Sequence, residues 1–168
     1  MKSSQVGLAC YPVEHESFAA ATPVGTLVIE AAGDTIVAAE FKPGQRPSRT
    51  TPRLAVLREA RAQLSAYQKR RLRRFDLPLV FNGTPFQISV WQAVAELETG
   101  ELVSYADVAR AVGSPRAHRG VAMAMGKTPI DLFVPAHRVI GADGHIKGAG
   151  PNSLRRRLLA FEGIKVAG

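Results

Sequence analysis

The tetrapeptide Asn82-Gly83-Thr84-Pro85 divides this chain into two stretches of different hydrophobic periodicity, so one repeating architecture cannot accommodate both. Upstream, Thr22-Pro23-Val24-Gly25-Thr26 reads as a turn entry and Leu27-Val28-Ile29-Glu30 as a short apolar strand. Thr35 to Phe41 fits as its hairpin partner, with Ala32-Gly33-Asp34 in the turn. Pro43, Gly44, Pro47 and Pro52 punctuate a polar connection, after which Leu54, Leu57, Ala60, Leu64 and Tyr67 recur at helical spacing. Phe75 to Val80 then reads as extended. The expected fold is mixed, α/β of the α+β kind. A small N-terminal domain with a short β-sheet spans residues 1–82, and a helical C-terminal domain spans 83–168.

Downstream of the junction, Thr84 is a good N-cap and Pro85 a good first helical residue, while Phe86, Val90, Val94 and Leu97 make one apolar face. Ser104 can cap a second helix running to about Val112. Gly113 can close it in a left-handed conformation before Ser114-Pro115 starts a third. Two short helices joined so tightly form a winged-helix-like helix-turn-helix candidate. On the third helix, Ala117, Val121 and Ala124 share one side, and Arg116, Arg119, Gly120 and Met123 another that can face a partner. An arginine there can contact phosphate or enter a stack of bases, and a glycine lets another surface come close. Core packing alone is the other reading of such a pair.

Composition narrows the class. At 168 residues, 46% apolar and 21% charged, the chain suits one or two compact units rather than a disordered or fibrous protein. It has no run of the ~20 apolar residues that a bilayer crossing needs, nor a secretory apolar stretch at its start, so a soluble cytoplasmic protein and a monomer are expected. Cys10 is the single cysteine, which excludes an internal disulfide. With His15, His118, His137 and His145 scattered, neither a metal nor a cofactor is expected. The net charge of +8 favours a polyanionic partner, and from Leu102 onward ten Lys or Arg stand against four Asp or Glu. The run Lys69-Arg70-Arg71-Leu72-Arg73-Arg74 is read as a solvated face ahead of a nucleic-acid patch.

Chemistry belongs to Leu132-Phe133-Val134-Pro135-Ala136-His137-Arg138-Val139-Ile140, an apolar run interrupted by two groups that need partners. The C-terminal helix, with Leu154, Leu158, Leu159 and Phe161 as its stripe, ends at Glu162, which could orient His137. A histidine satisfied for structural reasons is the competing reading.

Several blocks carry a family resemblance: Gly83-Thr84-Pro85-Phe86-Gln87 with Val90-Trp91, Val103-Ser104-Tyr105, Arg119 with Ala124-Met125, and Pro135-Ala136-His137-Arg138-Val139 with Glu162-Gly163. Weaker matches are Thr22 to Leu27 and Phe75 to Leu79. On these residues nearly the whole chain resembles the alkylguanine-DNA alkyltransferases, the methylated-DNA-protein-cysteine methyltransferases. The resemblance implies a helix-turn-helix in the minor groove of duplex DNA and a base flipped into a pocket. Arg119 would fill the vacated place in the stack, and Tyr105 would help rotate the nucleotide. It implies DNA contacts from Tyr105, Ser114, Arg116, Arg119, Gly120, Met123 and Arg138. The base pocket would be formed by Thr128, Val134, Pro135, Ala149 and Gly150.

Ala136 is the departure, because it stands where the family has its nucleophilic cysteine, and a methyl group cannot accept an alkyl group. His137 and Glu162, which in the family give that cysteine thiolate character, remain. The family also has an asparagine where Thr128 stands, and a tyrosine in a loop that here, at Lys147-Gly148-Ala149-Gly150-Pro151, lacks one and is a residue shorter. An engineered cysteine-to-alanine change explains Ala136 alone, whereas natural divergence explains all of these differences. The leading expectation is lesion recognition: binding alkylated guanine in double-stranded DNA without alkyl transfer, and marking it for downstream repair proteins. The alternatives are a hydrolytic enzyme such as a DNA glycosylase, using His137, Glu162 and Asp131 with water, and a methyltransferase disarmed at Ala136.

Overall fold

The structure, a computed structural model, describes residues 12–146 and 153–166. Three antiparallel strands, β1 (His15–Thr22), β2 (Gly25–Ala32) and β3 (Thr35–Phe41), form a meander in the order β1-β2-β3. The β1–β2 turn brings Thr22 opposite Gly25 and the β2–β3 turn brings Ala32 opposite Thr35. Gly33 supplies the left-handed residue of the second turn, with φ 58°. Strand alternation buries Leu27, Ile29 and Ala31 on one face, against which helix α1 (Ala55–Gln68) lays Val56, Leu57, Ala60, Leu64 and Tyr67. Strand β1 was not expected. Its centre, Phe18-Ala19-Ala20-Ala21, is poor in branched residues, and its pairing with β2 imposes the extended form.

The free edge of β3 is covered twice. Ile36 donates its N–H to Pro78 O at 2.8 Å and accepts from Val80 N–H at 2.9 Å, so the extended segment foreseen at Phe75 to Val80 docks there. One step along, Ala39 donates to Pro129 O at 3.2 Å and accepts from Asp131 N–H at 2.8 Å. Residues from both sides of Gly83 thereby close the edge that a bare strand would leave open to association.

Helix α2 (Pro85–Ala95) begins as its sequence dictates: Thr84 accepts from Gln87 N–H and the Gln87 side chain accepts from Thr84 N–H, a complete capping box with Pro85 at the first turn. Strand β4 (Val103–Ser104) leads into α3 (Tyr105–Ala111), capped reciprocally by Ser104 and Asp107. Gly113, at φ 75°, ends it, and Ser114 N–H returns to Ala109 O at 2.9 Å. The next helix does not start at Ser114-Pro115. A turn closed by Ala117 N–H on Ser114 O at 2.8 Å intervenes, because Ser114 is still engaged in closing α3, and α4 spans His118–Gly126. A 3₁₀ turn (Ala136–Arg138), strand β5 (Val139–Ile140) parallel to β4, and α5 (Leu154–Phe161) complete the order. No helix among the described residues is long and apolar enough to cross a membrane.

Candidate functional site

The segment that carries Ala136 is folded by its own backbone. Asp131 and Pro129 are tied to β3, Leu132 takes a left-handed conformation (φ 68°), Phe133 N–H returns to Asp131 O at 2.8 Å, and Ala136 N–H to Val134 O at 2.8 Å. A non-glycine residue at positive φ persists only where its surroundings determine it, and here Leu132 is itself buried, as are Ile130 and Phe133. Pairing of Val103 with Val139 and of Ser104 with Ile140 then ties the far end of the segment to the start of α3.

Directly after Ala136, His137 and Arg138 are each only 2% exposed, and both turn to Glu162 at the end of α5. His137 Nε2 lies 2.8 Å from Glu162 Oε1, while Arg138 donates from Nε to Oε2 at 3.0 Å and from Nη2 to Oε1 at 2.8 Å. Tyr67, from α1, donates its hydroxyl to Glu162 Oε1 at 2.8 Å. Arg138 also donates to Leu97 O at 2.7 Å and to Thr99 Oγ1 at 3.1 Å. Burial alone pushes the Glu162 carboxyl up, but the bonds and charges of His137 and Arg138 outweigh it and bring it down to about 2. Burial pushes His137 down, against the opposing pull of Glu162, and burial followed by the Glu162 charge pushes Tyr67 up. Near neutral pH, therefore, Glu162 is a carboxylate, Tyr67 keeps its proton and His137 is an uncharged imidazole. Because Glu162 can only accept, the imidazole proton sits on Nε2 and Nδ1 is left as an acceptor.

Ala136 and His137 line a cavity of about 140 Å³ together with Thr128, Asp131, Val134, Leu154 and Arg155, and Phe41 of β3 closes one side. Ala136 offers it a methyl group. Cys10, Ala149 and Gly150 lie outside the described residues. Pro135 is buried behind Ala136 rather than in the cavity wall. Among the described residues no three His, Cys, Asp or Glu gather to hold a metal ion.

Arg116, Arg119 and Met123 are exposed at α4 and the turn before it, Met123 to 67%, and neither arginine makes an ion pair among the described residues. Val121 and Ala124, on the opposite face, are buried. Tyr105 is 7% exposed in the first turn of α3, and Ser114 is half-buried in the turn. Two expectations are corrected. Arg138 does not reach a DNA surface, since its guanidinium is consumed internally by Glu162, Leu97 and Thr99. Gly120 gives its close approach to the Phe86 ring, which a Cβ there would meet at 3.1 Å. The run from Lys69 to Arg74 is a solvated face, as expected, with Arg73 and Arg74 paired to Glu98 and Glu96, and Arg70 over the Phe161 ring.

The sequence reading missed Tyr67, Phe41, Thr99 and Arg155. Tyr67 was assigned by its spacing to the α1 core, where its ring does lie, between Phe75 and Phe161. Its phenol was the available signal, because a buried tyrosine hydroxyl needs a partner.

The mixed fold holds a buried His137–Glu162–Arg138 cluster behind a small cavity, with Arg116 and Arg119 exposed at α4 and the turn before it, and comparison with known proteins gives the class to which this arrangement belongs. Residues 85–164 match the family described as 6-O-methylguanine DNA methyltransferase, DNA binding domain. The methylated-DNA--protein-cysteine methyltransferase of Methanosarcina barkeri is 37% identical over 146 residues, 84% of this chain and 92% of that protein. That of Mycobacterium tuberculosis is 38% identical over 141 residues, 82% and 86% of the two chains. The crystal structure of the Mycobacterium tuberculosis O6-methylguanine methyltransferase superposes with a TM-score of 0.75 at 37% identity, covering 89% of this chain and 93% of that one. The Mycobacterium tuberculosis OGT in complex with DNA superposes at 0.73 with 35% identity, covering 86% and 90%. The chain belongs to the methylated-DNA-protein-cysteine methyltransferase family, a family of DNA-binding repair proteins.

Proposed function

We propose that this member of the family recognises DNA lesions without repairing them: it binds duplex DNA, flips an alkylated guanine into the Ala136 cavity and transfers nothing. The observation that carries this reading is the contrast between Ala136 and the polar cluster behind it, of which His137 reaches the cavity. His137, Glu162, Arg138 and Tyr67 are joined by hydrogen bonds, while the residue beside His137 ends in a methyl group with no lone pair to attack a carbon. Binding needs only the pocket and the DNA surface. In this reading α3 and α4 act as a helix-turn-helix, and residues 1–82 and 83–168 are its two domains. The protein acts in the cytoplasm as a monomer, and other repair proteins follow it to the lesion. The family's DNA-binding domain and the relative solved with DNA support DNA as the partner, which this reading takes to be double-stranded.

Flipping a base costs a few kcal/mol, and an arginine inserted in the vacated stack offsets part of it. Arg119 is an exposed cation of α4 with no ion pair among the described residues and suits that place, with Arg116, Ser114, Met123 and Tyr105 as the further DNA contacts of this reading. Thr128 and Val134 line the pocket. In a fluorescence titration at fixed salt, a duplex carrying O6-methylguanine is expected to bind about tenfold more tightly than its guanine control, a difference of about 1.4 kcal/mol. Both affinities are expected to fall as salt rises. Equal affinity for the two duplexes would overturn the proposal.

Substituting Arg119 separates lesion reading from plain phosphate contact. Arg119→Ala is expected to leave folding stability within about 0.5 kcal/mol, yet to narrow the affinity gap between lesion and control. A phosphate contact would weaken both duplexes alike and leave the gap unchanged.

A further inference from the structure

Two opposite charges face the cavity from different elements: Asp131, from the segment docked on β3, and Arg155, from the first turn of α5. They make no ion pair with each other. Asp131 uses one oxygen, Oδ2, to accept from Phe41 N–H at 3.3 Å, and its other oxygen has no hydrogen-bond partner among the described residues. Arg155 donates from Nη2 to Met125 O at 3.3 Å. Most of the remaining lining is apolar: Phe41, Met125, Leu132, Val134, Leu154 and Leu158. The backbone bonds of the turn between residues 131 and 136 hold Asp131 and Ala136 in the lining of one cavity, so a substituent whose first carbon lies at Ala136 shares that cavity with Asp131.

Resting on the lesion-binding reading, we infer that this cavity selects an O6 substituent ending in a neutral donor and acceptor, such as a hydroxyl, and that Asp131 determines the preference. An end carrying a net charge of either sign is attracted by one of these two groups and repelled by the other, whereas a hydroxyl can donate to the free oxygen of Asp131 and accept from Arg155, giving both a partner. Burial makes the ionised Asp131 costly and holds its carboxyl above the usual range, so a donor supplied by the ligand relieves that cost. An apolar end of equal size gives neither charge a partner and keeps both from water.

The test compares duplexes carrying O6-(2-hydroxyethyl)guanine and O6-propylguanine, whose substituents have the same number of heavy atoms, by titration with the full chain. The hydroxyethyl duplex is expected to bind about tenfold more tightly than the propyl duplex, and Asp131→Ala is expected to abolish or reverse that ratio. Asp131→Asn keeps an acceptor for Phe41 N–H and a polar group in the cavity, and is expected to retain part of it. Propyl bound as tightly as hydroxyethyl by the unsubstituted protein, or a ratio unmoved in a folded Asp131→Ala protein, overturns the inference. In either case the lesion-binding reading stands, provided that both adducts outbind unmodified guanine. If neither does, that reading falls and this one with it.

Discussion

Glu162→Ala is expected to cost about 3 to 5 kcal/mol of folding stability, because it leaves Arg138 as an uncompensated charge in the interior. Arg138 is 2% exposed and loses two bonds at once, while Tyr67 and His137 lose their acceptor. Urea unfolding at neutral pH measures the loss, and a change within about 0.5 kcal/mol, the size of an ordinary surface substitution, would refute the role assigned to the cluster. The pH dependence has a definite sign. The folded-state carboxyl lies at about 2, below its ordinary value of 4.5, so its contribution is complete above pH 4.5 and drains away as pH falls towards 2. Glu162→Gln, which cannot ionise, is therefore expected to flatten the stability profile in that acid window. Unchanged steepness there would assign the acid sensitivity to other carboxylates.

Trp91→Ala is expected to be comparably damaging, at about 3 to 5 kcal/mol. Its ring is 2% exposed in the middle of α2 and stacks near Phe81, and its indole N–H donates to Ala124 O of α4 at 2.9 Å. A Cβ on Gly83 would come within 2.7 Å of that ring, so the backbone before α2 is fitted to it. Trp91→Phe separates packing from the hydrogen bond: with most of the apolar bulk retained, the lost N–H contact accounts for about 1 kcal/mol. If alanine and phenylalanine cost the same by thermal unfolding, packing of the ring is not what holds α4 against α2.

Local rules made much of the fold readable. Thr84 and Pro85 specify the start of α2 without help from distant residues, and Gly33 and Gly113 occupy the positive-φ positions that their turns require. His137 and Glu162 could be paired because an imidazole in an apolar run must find a partner and the end of α5 offers one. What escaped was set by distance in sequence. Strand β1 is made by its neighbour, not by its alanines. Arg138, which interrupts the same apolar run, also needs a partner, but the resemblance assigns it to DNA instead. Its acceptors, Leu97 O and Thr99, lie 41 and 39 residues away and have no signature of their own. The hydroxyl of Tyr67 meets Glu162 across 95 residues, which no spacing of apolar positions encodes.

The doubly closed edge of β3 makes Gly83 a division in the text of the chain and not in its mechanics. Phe41 and Tyr67 precede it, yet one walls the cavity and the other anchors the carboxylate behind it. Loosening of β3 would thus be felt at Asp131 and Phe41, and loosening of α1 at Glu162 through Tyr67, without any substitution at Ala136. Under the proposed lesion binding, substitutions in β3 or α1 therefore belong among those expected to alter adduct affinity.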